Sequence, residues 1–307
     1  MNTLNIIKVI LEEGCKYSIL ALGVYLTYSI LDFPDLSVDG TMPLGGIVST
    51  VLILNGINPW FSLLVAFICG CLAGSVTGFL HVRLKIRPLL AGILVYTSLL
   101  SINLVIIKAG TGGSSIASIL NKDTIFNTYP AKLLPQKIGD FTVLKLIVLI
   151  FFVIVLKILL DLYLKTKSGM LLRATGNNER FVTMLAKNPG TVKILGLALG
   201  NGLAAVSGAV IAQSSGNATT TMGTGMVVFG LSSVIIGISI FSRIKFMKAT
   251  TMVILGTIIY KGCLQLAVVM ELPSEYNKLL MAALFIIALL MSGAFKGKGR
   301  KTKNVKA

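Results

Sequence analysis

Long apolar stretches constrain this chain more than any other feature. Eight of them approach the roughly twenty residues that a helix needs to cross the hydrocarbon core of a bilayer. They lie at 14–31, 59–80, 88–108, 141–163, 192–213, 226–242, 249–270 and 277–295. Charged residues make up only 13% of the chain, against roughly a quarter in a soluble domain. The sequence predicts an all-α integral membrane protein, a polytopic bundle of about eight to ten transmembrane segments forming one domain over 1–307.

Positive charge is distributed unevenly along the chain. There are 28 Lys and Arg residues against 11 Asp and Glu residues, and most of the basic ones fall in 81–87, 164–193, 243–248 and 296–307. Cytosolic loops of membrane proteins are enriched in Lys and Arg. We therefore expect these segments, including the tail 296–307, to face the cytosol beside anionic lipids. The aromatic interleaving of a single-strand-binding surface is missing, so no nucleic-acid partner is expected.

The basic segment 164–193 is the most informative loop. It holds six basic residues and a single acid, Glu179, between two apolar stretches. Within it, the run 173–179 (RATGNNE) is expected to open a short amphipathic helix. A helix on the cytosolic surface offers a docking face for a soluble partner.

The apolar stretch 43–57 leaves two orientations open. It reaches only about 22 Å as a helix. If it crosses fully, the amino terminus lies outside; if it breaks or re-enters, the amino terminus lies inside and 32–58 lies outside. We prefer the second, because 32–46 combines three acids, two prolines and three glycines, and proline disfavours helix. Such backbone inside a bilayer must be buried in protein or line a wet cavity. An ordinary extramembrane loop with capping aspartates is the alternative.

Polar residues at membrane depth are costly and usually face a bundle interior or a wet cavity. The candidates for a translocation pathway are three acids and three amides: Asp32, Asp35, Asp39, Asn103, Asn201 and Gln213. The alternative for the amides is that they bridge neighbouring helices. Lys261, midway along its stretch, needs a partner or a kink. Lys157 and Asp161, four residues apart, are expected to pair.

Small residues recur at every fourth position in two stretches. One series is Gly70, Gly74 and Gly78, and the other is Gly196, Gly200, Ala204, Gly208 and Ala212. This spacing makes a flat stripe on which helix backbones approach closely. It predicts tight packing, either within the bundle or in a dimer.

Motifs of catalysis are missing from the sequence. There is no Gly-x-x-x-x-Gly-Lys-Ser/Thr loop, no Gly-x-Ser-x-Gly elbow and no His-Glu-x-x-His helix. The four cysteines lie in apolar stretches without metal-ligand spacing to His81, the only histidine. We expect a protein that is not an enzyme and binds neither metal nor ATP. Residues 1–13 lack a signal-peptide layout, so the amino terminus is expected to be mature.

Two segments resemble a known family. The segment 31–45 (LDFPDLSVDGTMPLG) is similar to the signature of permease subunits in a group of bacterial ABC importers, and 172–178 (LRATGNN) to the coupling segment of that group. The group belongs to the ribose and branched-chain amino acid permease family and is often assigned to tryptophan or tyrosine uptake. The resemblance extends over residues 17–295. The segment 184–190 (MLAKNPG) departs from the Gly-Ile/Val-Asn type of ending that usually follows the coupling helix.

The resemblance implies a bacterial plasma-membrane permease that pairs with a second copy of itself. Each copy would dock a cytosolic ABC ATPase, which binds ATP and Mg²⁺, and an extracellular lipoprotein would deliver the substrate. The coupling element carried over from the family is Arg173, Ala174, Thr175, Gly176, Asn177, Asn178 and Glu179.

Two other classes remain open from the residues. A secondary transporter driven by an ion gradient predicts acids near the middle of its spans, whereas here the acids are few and bunched at 32–39. A membrane scaffold without transport would not require a polar broken segment. Uptake by this chain alone in proteoliposomes would identify the former.

Overall fold

Helices make up nearly all of the structure. The computed structural model describes residues 3–128, 137–138, 141–142, 144–244, 246–269, 273 and 276–296. The helices are α1 (Thr3–Val24, continued as a π-helix over Tyr25–Ile30), α2 (Val38–Leu54), α3 (Pro59–Val82), α4 (Pro88–Thr111), α5 (Leu144–Lys165), α6 (Lys167–Asn177), α7 (Glu179–Met184), α8 (Pro189–Ser215), α9 (Met226–Phe241), α10 (Ala249–Val269) and α11 (Asn277–Lys296). The strands are β1 (Ile116–Ser118), β2 (Lys137–Ile138), β3 (Phe141–Thr142) and β4 (Asn217–Thr219). The predicted all-α fold is confirmed.

Each of the eight predicted spans contains a helix, namely α1, α3, α4, α5, α8, α9, α10 or α11. Among the described residues, five helices are long and apolar enough to cross a membrane, namely α3, α4, α5, α8 and α10. Helices α2 and α9 and the 278–290 part of α11 are shorter apolar helices. Helix starts are defined locally: Pro59, Pro88 and Pro189 occupy first-turn positions, where a missing N–H costs nothing.

Three basic segments meet at one end of the bundle, here called the basic end. Lys193 Nζ lies 3.5 Å from His81 Nε2, which joins the 164–193 segment to the 81–87 segment. Lys248 Nζ lies 3.1 Å from Asp161 Oδ2 at the end of α5. The tail from 297 onward lies outside the described residues.

The opposite end carries a small sheet. Strand β1 pairs antiparallel with β4, with Ile116 opposite Thr219 and Ser118 opposite Asn217. This pairing places part of the long 109–140 loop over the end of α8.

Helix α1 runs from the opposite end towards the basic end, so our preferred orientation of the amino terminus was wrong. Three contacts follow this direction: Ile10 lies beside Gly262 in the second half of α10, Gly23 packs on Gly200, and Ile30 reaches Gly176 of α6. The amino terminus and the basic loops therefore lie at different ends of the bundle. The full-span alternative for 43–57 had given this arrangement.

The broken segment is 31–37 rather than 43–57. The chain leaves the π-helix at the basic end and climbs without helical structure to the start of α2. There Thr41 contacts Asn201, which is twelve residues into α8, about 18 Å from the helix start. Helix α2 therefore begins inside the bundle and runs to the opposite end, with Pro43 in its early turns. The expectation that 32–37 lies outside was wrong.

Helix α8 is the centre of the bundle, and 78% of its most apolar stretch is buried. The two glycine stripes contact different neighbours. On α3, a Cβ at Gly70 would lie 2.6 Å from the Ala205 Cβ, and one at Gly78 would lie 2.8 Å from the Ile194 Cα. The α8 stripe faces away from α3: Gly200 packs on α1, and Gly208 packs on the backbone of α2. Both stripes serve contacts within one chain.

Candidate functional site

A buried polar cluster holds the broken segment 31–37 against α8. One carboxylate oxygen of Asp35 accepts hydrogen bonds from the Ser37 backbone N–H (2.8 Å) and the Ser37 hydroxyl (2.6 Å), and the other accepts one from Asn201 Nδ2 (2.7 Å). The Asn201 amide oxygen accepts from the Thr41 hydroxyl at 2.8 Å. Asp35 is 4% exposed, and Ser37, Thr41 and Asn201 are fully buried. Irregular backbone at this depth persists because its polar groups are satisfied by protein.

A second irregular segment meets the first turns of α2 inside the bundle. Residues 220–225 descend from β4 to the start of α9, where Gly225 adopts a left-handed backbone (φ 84°). Asp39, in the first turn of α2, accepts hydrogen bonds from Val227 N–H (2.7 Å) and Gly225 N–H (3.1 Å). Two helices thus begin inside the bundle, side by side and joined by one carboxylate. An acid at this position suits the positive end of the α9 dipole.

The remaining amides join helices. Asn103 Nδ2 donates to the Gly40 carbonyl oxygen at 3.0 Å, linking α4 to α2. Gln213 Nε2 lies 3.0 Å from Ser49 Oγ and 3.2 Å from Ser62 Oγ, while its carbonyl oxygen accepts from Ile125 N–H at 2.9 Å. The geometry thus corresponds to the bridging alternative, and a pathway role for these amides stays a prediction.

Asp32 lies apart from the other two acids. It is exposed and has a left-handed backbone (φ 55°) at the end of the π-helix. It lines a cleft of about 460 Å³ at the basic end together with Arg173, Gly176 and Asn177 of α6. The three acids of 32–46 therefore do not converge on one pathway surface.

The run 173–179 spans two helices, which corrects the expectation that it opens one. Arg173 to Asn177 form the last turns of α6, with Ala174 half-buried and Thr175 buried. Asn178 ends α6 in an extended conformation and caps α7, since its side-chain oxygen accepts from Arg180 N–H at 3.1 Å. Glu179 begins α7 and pairs with Lys193 of α8.

Helix α6 touches the start of the broken segment directly. Gly176 faces the backbone of Ile30 and Leu31, and a Cβ there would overlap the Ile30 carbonyl oxygen and lie 3.0 Å from the Leu31 carbonyl carbon. Leu172, fully buried, packs on Gly196 of α8. Displacement of α6 would therefore press on the π-helix of α1 and on the segment that follows.

Helix α7 presents an apolar surface at the basic end. Phe181, Met184 and Leu185 are 52%, 82% and 51% exposed. We call these three residues the α7 apolar tip. Arg180 and Lys187 lie beside it in the sequence and are also exposed. The motif at 172–178 ends before this tip and therefore gave no indication of it. Three large apolar residues in a basic loop between two spans were the available signal.

Lys261 has the partner that its depth requires. Its Nζ lies 3.4 Å from Glu13 Oε2 of α1 and 3.5 Å from the centre of the Tyr17 ring. Glu13 also pairs with Lys16. The expected Lys157–Asp161 pair is confirmed at 3.2 Å.

Comparison with known proteins gives one family. The model of the branched-chain amino acid transport system permease component matches residues 6–289. A tyrosine transport system permease of Clostridioides difficile is 40% identical over 293 residues, which are 95% of this chain and 93% of the relative. A probable branched-chain amino acid transport permease of Methanocaldococcus jannaschii is 29% identical over 66% of each chain. A fructose import permease of Bifidobacterium longum is 25% identical over 92% of this chain and 75% of the relative.

One solved structure has the same fold. It is the PsaBC complex of Streptococcus pneumoniae with a Fab, superposed with a TM-score of 0.52 over 91% of this chain and 89% of that chain. Its sequence identity is 12%, so the likeness concerns the fold alone.

Proposed function

The chain belongs to the family of permease components of branched-chain amino acid transport systems, and from that premise we propose that it is the membrane subunit of an ATP-driven importer. As a family member it is a multi-pass plasma-membrane permease of an ABC-type transport system. The basic end faces the cytosol in this proposal, in keeping with the enrichment of Lys and Arg on that side.

The contact between Gly176 and Ile30 is the observation that carries the proposal. A cytosolic ATPase docks on α6 and α7, and its closure on ATP displaces these helices. Because α6 abuts the π-helix, the displacement reaches the segment 31–37, and from there α2 and the Asp39 link to α9. Two helices that begin inside the bundle can reorient without unfolding a whole span, as discontinuous helices do in other transporters.

The assembly contains a second copy of this chain and an extracellular substrate-binding lipoprotein at the opposite end. The chain itself is not catalytic, and ATP with Mg²⁺ binds in the ATPase. The substrate is an aromatic amino acid of the tyrosine type, which rests on the 40% identity to a tyrosine transport permease over nearly the whole chain.

Reconstitution tests this function. The chain is placed in proteoliposomes with or without the partner ATPase of the same importer, and uptake of labelled tyrosine is measured with the binding protein and ATP. We expect uptake only with ATPase, binding protein and ATP together. Uptake by the chain alone would indicate a secondary transporter, and no uptake of any amino acid or sugar by the full set would indicate a scaffold.

A further inference from the structure

A second cleft at the basic end lies between the π-helix of α1, the end of α5, α6 and the start of α10. Its volume is about 420 Å³. The side chains that line it include Tyr25, Asp161, Lys165, Arg173, Lys248 and Thr250. We call it the α5–α10 cleft. Four elements contribute to it, so it is a pocket between helices rather than a flat surface.

The cleft carries excess positive charge. Asp161 is the only acid among the described residues that line it, and this carboxylate is already occupied by Lys157 (3.2 Å), Lys248 (3.1 Å) and the Thr250 hydroxyl (2.7 Å). Among the residues that the structure describes, Lys165 and Arg173 form no ion pair. Two cations without a partner and a third that shares one carboxylate favour a bound anion.

The position of the cleft indicates where that anion comes from. Among the described residues, α5 is the least buried of the five helices that are long and apolar enough to cross a membrane, with 22% of its most apolar stretch buried. Its exposed apolar residues include Ile158 (48%) and Leu162 (55%), and Lys165 follows on the same helical face, at positions i, i+4 and i+7. A phospholipid whose phosphate lies in the cleft would therefore place its acyl chains along this exposed apolar face of α5.

We propose that the α5–α10 cleft binds the headgroup of an anionic phospholipid, with its phosphate held by Lys165, Arg173 and Lys248. Basic pockets between transmembrane helices on the cytoplasmic side bind acidic lipid headgroups in this way. Since Arg173 belongs to α6, the lipid links this helix to α5 and α10 and sets the resting position of α6. The binding site depends only on the membrane location of the chain and not on its transport function.

Lipid binding is measured on the full chain in phosphatidylcholine nanodiscs, by titration with fluorescent phosphatidylglycerol. Each Lys near an anionic headgroup contributes about fivefold in affinity. We expect Lys165→Gln and Lys248→Gln each to weaken binding about fivefold. Lys85→Gln, an exposed cation at the same end but outside the cleft, should leave it unchanged. Equal affinity of the unaltered chain and the three variants for phosphatidylglycerol would overturn the proposal.

Asp161→Asn should change the affinity for phosphatidylglycerol in the opposite direction. Removing the acid of the cleft should strengthen phosphatidylglycerol binding, whereas a merely damaged fold would weaken it, and weaker binding in this variant counts against the site. Competition by inorganic phosphate in solution would identify a free phosphate as the ligand and overturn the lipid assignment. The lipid assignment would also be overturned if Lys165→Gln weakened ATPase binding and left lipid binding unchanged.

A measurement on the unaltered protein is independent of any variant. Phosphatidylglycerol with a photoreactive group on its headgroup is cross-linked and the labelled peptides are mapped. We expect label in 157–173 and 246–250. Label confined to other parts of the chain would contradict the proposal.

Discussion

Gly176 lies against Ile30 so closely that no side chain fits between them: a Cβ at position 176 would overlap the Ile30 carbonyl oxygen. This contact joins α6, the helix at the basic end, to the point where α1 ends. From there the chain continues into the segment 31–37 and its buried cluster around Asp35 and Asn201. A path of direct contacts thus runs from the surface of the bundle to its interior.

Replacing Gly176 by Val should separate α6 from α1. Forcing side-chain atoms into a close contact costs about 1–3 kcal/mol, which is enough to reduce tyrosine uptake by roughly tenfold while ATP hydrolysis continues. The ratio of ATP hydrolysed to substrate imported measures this. Gly262→Ala is the matched control, because its Cβ would meet only Ile10 at an ordinary 3.6 Å. An unchanged ratio in Gly176→Val would show that the contact does not couple the two activities.

Met184→Ser should weaken binding of the ATPase. Met184 is 82% exposed at the centre of the α7 apolar tip, and burial of such a side chain contributes about 1.5–3 kcal/mol. We expect the dissociation constant of the detergent-solubilised complex to rise at least tenfold by fluorescence anisotropy. Leu120→Ser, at an equally exposed position (77%) near β1, serves as control. If both variants bind normally, the ATPase docks elsewhere.

Asp35→Ala should destabilise the protein. The change leaves the Asn201 amide and the Ser37 donors without their acceptor in a buried site, which costs about 1–3 kcal/mol. A lower thermal midpoint in detergent is the expected result, with Asp123→Ala, an exposed acid in the loop after β1, unchanged. Normal stability with loss of uptake would instead make Asp35 a residue of the translocation pathway.

Asp39→Ala should loosen the start of α9. Two backbone N–H groups lose their cap, and loss of an N-cap side chain costs about 1 kcal/mol. Asp39→Asn keeps a neutral acceptor and should cost less. Hydrogen exchange at residues 225–229 reports the change directly. Equal protection in wild type and Asp39→Ala would remove this link between α2 and α9.

Much of the fold was predictable because bilayer thickness imposes a length on each apolar stretch. The eight predicted spans correspond to helices whose bounds differ by a few residues, except for α1, which begins at Thr3. That difference has a physical cause: Lys8, Glu12, Glu13 and Lys16 interrupt the apolar pattern, but Glu12 and Glu13 pair with the lysines and so lie in the helix.

An irregular segment in this region was recognisable, but its bounds at 31–37 and its position in the bundle were not. Proline, glycine and acid content indicated irregular backbone over 32–46, of which only 32–37 is irregular, since Pro43 and the glycines lie inside α2. Nothing local shows that Asp35 reaches Asn201, which is 166 residues away. The predicted orientation of the amino terminus was wrong for the same reason, because a π-helix and a tertiary contact with Gly176 decide where the segment 31–37 lies. The α7 apolar tip was missed because the recognised motif ends at Asn178.

The most direct test of the account is labelling of a thiol at position 184 with a membrane-impermeant reagent. The native cysteines are first replaced, above all the exposed Cys263, and Met184→Cys is then introduced. We predict no label in intact cells, strong label in inverted membrane vesicles, and protection in those vesicles when the ATPase is added. Labelling in intact cells would place α7 on the outer face and contradict the account.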